Sequence, residues 1–205
     1  MTDPITQVTT LALVAFGELT AFEQSAEDAR SAASVEDEVG LALVAGHCLD
    51  HFRAISARVE ELGGDVVEGM RDAARAFSVF HERTRPGDWY ESLMKGYVLD
   101  GIMKDFSRAA LEDLDPTSVR VVSAALDDTR RADHLRDRLA RSLADDPALA
   151  ARLALWGRRL VAEAMTRGRV LLVQLLGVPE DRVVSITQSC MTAHSKRMSG
   201  LGLVA

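Results

Sequence analysis

The chain has 205 residues, 47% of them apolar and 27% charged, with a formal net charge of −7. That is room for one domain with a real core, the composition is that of an ordinary globular protein, and the acidic balance argues against a strongly basic nucleic-acid binder. The two cysteines, Cys48 and Cys190, lie inside helical patterns and do not make a disulfide framework, so a reduced, cytoplasmic setting is expected.

The opening MTDPITQVTT has no basic region ahead of an apolar segment, so no secretion signal is expected. Apolar runs such as residues 11–16 are too short to span a bilayer. Residues 5–32 read as a helix, with Val8, Leu11, Val14, Ala15, Phe22 and Ala26 at helical spacing and Glu18 inside that stripe. Ser34-Val35-Glu36-Asp37 opens a second helix, which runs to about Leu62 and stops at Gly63-Gly64. A shorter helix covers residues 66–83. After the Pro86-Gly87 break, a second capping box, Asp88-Trp89-Tyr90-Glu91, starts a helix that runs to about Leu114.

Asp115-Pro116 is an N-cap followed by proline at the first helical position, and the stripe Val121, Ala125, Asp128, Ala132, Leu135, Leu139 reads as one helix after it. Asp146-Pro147 repeats the signal ahead of a long helix to about Leu176. Gly177-Val178-Pro179 ends that helix, and a last one covers residues 181–198. No segment alternates like a strand. The expectation is an all-α chain of about six helices in one domain spanning residues 1–205.

Four charged or polar residues stand on core stripes: Glu18, His51, Asp100 and Asp128. Taking loops near Ala33 and Asp115, Glu18 and Cys48 lie 15 residues either side of the first. Asp100 and Asp128 lie 15 and 13 residues either side of the second. Two antiparallel hairpins therefore carry these residues at matching heights. Cys48-x-x-His51 and Asp128-x-x-Arg131 each put two side chains on one helix face. This is the layout of a di-iron carboxylate bundle, in which two helices each give one carboxylate and two each give a Glu-x-x-His pair. Here cysteine stands for one glutamate and arginine for one histidine.

The chain resembles the actinobacterial MiaE-like branch of the ferritin-like superfamily, related to the hydroxylase of methylthio-isopentenyl-adenosine in tRNA. The resemblance rests on GELTAF at 17–22, DHF at 50–52 and DWYESLMKGYVLDGIMKDF at 88–106. It continues through DDTRRADH at 127–134, LALWGRRLVAEA at 153–164 and AHSKRMSGLGL at 193–203. It implies a ferritin-like four-helix bundle with additional C-terminal helices. It also implies a non-haem di-iron, oxygen-activating hydroxylase, here with a modified di-iron or mono-iron site whose metal ligands are Glu18, His51, Asp100 and Asp128, Cys48 being a further candidate.

The residues leave a second reading open. Arg131 is a permanent cation and can neutralise clustered carboxylates without metal. In that reading Glu18, Asp100 and Asp128 surround Arg131, and the bundle is a metal-free binding or association module. Asp100 also has Lys104 one turn on as a partner. Thiolate and imidazole suit zinc, but the adjacent His47 and Cys48 diverge by about 100° on a helix. The net charge is −10 over residues 1–100 and +3 over residues 101–205, where Arg152, Arg158, Arg159, Arg167 and Arg169 crowd one segment. That segment is either solvated surface or a face for an anionic substrate such as tRNA. Exposed apolar residues on the last two helices would suit a homodimer.

Overall fold

A computed structural model describes residues 4–204. The first three residues of the MTDPITQVTT segment lie outside that range. Among the described residues there are eight α-helices and no strand: α1 (Pro4–Arg30), α2 (Val35–Glu61), α3 (Val66–Arg83), α4 (Trp89–Ala109), α5 (Pro116–Leu126), α6 (Arg130–Leu143), α7 (Pro147–Val170) and α8 (Glu180–Gly200). The all-α expectation holds.

The helix starts follow local chemistry. Ser34, Asp65, Asp88, Asp115 and Asp146 each accept hydrogen bonds from the first free backbone N–H groups of the helix that follows. The Asp88 box closes reciprocally: Glu91 N–H donates to Asp88, and the Glu91 carboxylate accepts from Gly87 N–H at 2.7 Å.

The helix expected after Asp115 is in fact two, with a break at residues 127–129. The cause lies on another helix. Arg108 of α4 donates to the Leu126 carbonyl at 2.7 Å, and Lys104 donates to the Asp128 carbonyl at 2.6 Å. A continuous helix would give those carbonyls to backbone N–H groups four residues on. The Asp128 carboxylate instead accepts the N–H of Arg130, which opens α6. The break also rotates the stripe, so that Arg131, and not Ala132, faces inward.

Two further boundaries differ. α4 ends at Ala109 and a 3-10 turn fills Leu111–Asp113. α7 ends at Val170, and Leu171–Leu175 widens into a π turn closed by Gly177 at φ +62°.

α1, α2, α4 and the broken α5/α6 form a four-helix layer around a charged centre. Two hydrophobic clusters flank that centre. One joins α1, α2 and α5 through Leu11, Val14, Ile55, Val59, Val122 and Leu126. The other joins α3, α4, α6, α7 and α8 through residues such as Phe80, Met94, Ile102, Leu139, Leu160 and Met198, with Ala29 of α1 and Leu41 of α2 at its edge. α7 and α8 cover the face of α4 away from the centre. The expectation that no stretch reaches spanning length meets one exception. α1 is long and apolar enough over Ile5–Arg30 to cross a membrane by length and composition, but 44% of its most apolar window is buried inside the fold.

A charged centre in a four-helix layer

The α1–α2 hairpin brings Glu18 and His51 together, with the imidazole Nδ1 3.5 Å from the carboxylate. On its other side Nε2 stands 3.4 Å from Asp128. The ring is thus held between two carboxylates, one from α1 and one from the α5/α6 break. Hydrogen bonding to Glu18 and the negative charges of Glu18 and Asp128 raise the His51 pKa above its ordinary value, against the opposing effect of burial. Arg130 grips Asp128 through three contacts and depresses its carboxyl to about 2. The Nη1 of Arg130 also reaches His47 Nε2 at 2.8 Å.

Cys48, one turn before His51, is buried, and burial pushes its thiol up to about 12.

Asp100 belongs to a second group. Arg131 Nη1 stands 3.2 Å from one of its oxygens, and Lys104 Nζ stands 3.3 Å from the other. The Arg131 and Asp100 side chains are 6% and 7% exposed. Arg131 also donates to the Gly96 carbonyl, to Ser25 Oγ at 3.1 Å and to Gln24. Gly96 makes this approach feasible: a Cβ there would lie 3.0 Å from the guanidinium. The anticipated cluster of Glu18, Asp100 and Asp128 around Arg131 is therefore divided. Arg131 takes Asp100, and His51 takes Glu18 and Asp128. The sequence had suggested Lys104 as a partner of Asp100, but not the roles of Arg130, Ser25, Gln24 and Gly96. The adjacency of Arg130 to the core-stripe pair was the one signal for it.

The geometry can be set beside known proteins. A family model described as a ferritin-like domain of actinomycetes matches residues 5–175. The chain belongs to this ferritin-like domain family. A comparison with curated proteins finds no match.

The ferritin-like plan sets a sharp test for the centre, because it would place carboxylates and imidazoles around two ions. In this ferritin-like domain Asp100 and Asp128 already face Arg131, Lys104 and Arg130. Both His51 nitrogens face carboxylates. Among the described residues no group of three or more His, Cys, Asp or Glu is arranged to hold a metal. As arranged, the donor set does not fit a di-iron centre: cationic side chains stand against the carboxylates that two ions would need.

Proposed function

We propose that this ferritin-like domain works without iron, as a binding module whose centre is neutralised by its own side chains. The observation that carries the reading is Asp100 held between Arg131 and Lys104 at 3.2 and 3.3 Å. Asp100 pairs with Lys104 and Arg131, Asp128 with Arg130 and His51, and Glu18 with His51. A divalent ion entering there would meet repulsion from Lys104, Arg130 and Arg131, and no carboxylate is left without a partner. A cytoplasmic setting goes with this reading, supported by Cys48 and Cys190 both being free thiols.

The MiaE-like hydroxylase is the alternative, and His51 lying within 3.5 Å of both Glu18 and Asp128 favours it. An anionic substrate such as tRNA would need free basic side chains on α7. Most of these already have partners. Arg152 pairs with Asp88 and Glu91, and Arg169 with Glu180. Arg158 and Arg159 donate to backbone carbonyls. A second copy of the chain is the partner that goes with the binding-module reading, with Leu155, Val184 and Met191 exposed on α7 and α8.

Metal content decides between the readings. Protein expressed with added iron and purified without chelator is expected to carry no stoichiometric metal and to keep its helical signal and melting temperature in chelator. Two irons per chain would overturn the proposal and restore the oxygenase. One metal, lost in His51→Ala, would replace it with a mononuclear site.

A further inference from the structure

The packing of α1, α3, α4 and α7 leaves an apolar cavity of about 50 Å³ under the π turn. Phe77, Ile102, Phe106, Ala164, Leu171 and Leu172 stand in its wall. Among the described residues that line it, only Thr10 and Ser107 carry a polar side chain, and none carries a charge. Two local features keep the space from closing. Gly168 of α7 has no side chain, and a Cβ there would lie 2.4 Å from the Phe106 ring, so the ring rests against the α7 backbone. Ala164, one turn earlier on the same face, is also small. The helix then widens over Leu171–Leu175, which brings Leu171 and Leu172 into the wall.

Size and lining together choose the guest. At about 10–15 Å³ per molecule the cavity has the capacity of roughly three to five waters, and each would want about two to four polar partners. Two side-chain hydroxyls do not supply them. A charged group fares worse, since no side chain in the wall offers an opposite charge. An apolar guest meets neither cost. It leaves water for an apolar surface, and it gives the wall atoms dispersion contacts that a void denies them. Taking a methylene as about the size of a water, the capacity is that of roughly three to five carbons.

We infer that this cavity binds a compact, uncharged hydrocarbon of roughly five carbons or fewer. The inference rests on the binding-module reading and adds the ligand class to it. The guest lies against Ile102, Leu171 and Leu172 and meets no residue of the charged centre. Met103 and Phe106 are only partly buried, and their rotation opens the way in.

Methyl NMR spectra of the full chain with added cyclopentane, tetrahydrofuran or naphthalene test this. Cyclopentane is expected to shift the methyl signals of Ile102, Leu171 and Leu172 and to raise the melting temperature. Tetrahydrofuran, the same ring with an ether oxygen, is expected to bind at least about tenfold more weakly. Naphthalene, about twice the size, is expected to leave these signals in place. Ala164→Leu, which fills the cavity, is expected to abolish the cyclopentane shifts while the protein remains folded. Equal binding of tetrahydrofuran, shifts with naphthalene, or no shift with cyclopentane would overturn the inference, and so would shifts that persist in folded Ala164→Leu. The wild-type comparison stands even if that variant fails to fold. Metal analysis of the same sample keeps the two readings apart. A protein that takes neither cyclopentane nor metal defeats this inference alone, and one that carries two irons defeats the binding-module reading first.

Discussion

Arg131 of α6 and Asp100 of α4 meet at 3.2 Å, and neither side chain is more than 7% exposed. Their partnership is a matter of specificity more than of stability, since desolvating both charges offsets much of their attraction. Removing one partner is another matter. Arg131→Met is expected to lower unfolding free energy by up to about 3–5 kcal/mol, because it leaves the buried Asp100 with Lys104 as its remaining cation and takes a donor from Ser25 and from the Gly96 carbonyl. Adding Asp100→Leu should restore much of that loss. Urea denaturation of the two singles and the double measures it. Strict additivity would show that the pair is not coupled.

His51 ties stability to pH with a definite sign. Its folded pKa is raised above 6.5, chiefly by hydrogen bonding to Glu18. The stability it contributes is fully present below about pH 6.5 and is lost as pH rises through the higher folded value. Asp128 acts in the opposite direction. Its pKa is depressed from 3.8 to about 2, so its contribution is present above 3.8 and lost as pH falls through 2. Denaturation midpoints should therefore decline above pH 6.5, and His51→Gln should flatten that decline. An NMR titration of the His51 ring gives the same quantity directly, and a midpoint at or below 6.5 would contradict the sandwiched geometry.

Gly168 of α7 faces Phe106 of α4. A Cβ at that position would lie 2.4 Å from the tip of the ring. Alanine normally gains about 0.5–1 kcal/mol over glycine inside a helix. Overpacking costs about 1–3 kcal/mol and dominates here. Gly168→Ala should lower the melting temperature, and it should also push Phe106 toward the neighbouring apolar cavity that the ring helps to line. A raised melting temperature would mean that the ring turns aside without loss.

What could be read from the sequence was local or set by hairpin geometry. The caps at Ser34, Asp88, Asp115 and Asp146 depend on residues within one turn, and all four form. Glu18 meets His51 because a short loop fixes the register of α1 against α2. The break at residues 127–129 was not legible, because the side chains that hold its carbonyls come from α4, 18 and 24 residues earlier. Its consequence for the site was equally hidden. Once the chain breaks, Asp128 and Arg131 no longer share a helix face, so one expected network becomes two. The π turn gave no sequence sign either, for Leu171–Leu175 reads as ordinary apolar helix.

The interruption before α6 also governs how the molecule comes apart. α5 belongs with α1 and α2 in one apolar cluster, and α6 with α4 and α7 in the other. Between them runs a layer of charge that adds little to cohesion. With no continuous helix joining the two clusters on that side, an opening of α5 need not propagate into α6. Amide exchange should resolve two cooperative units, with α5 exchanging through a smaller opening and the α4–α7 pair only on global unfolding.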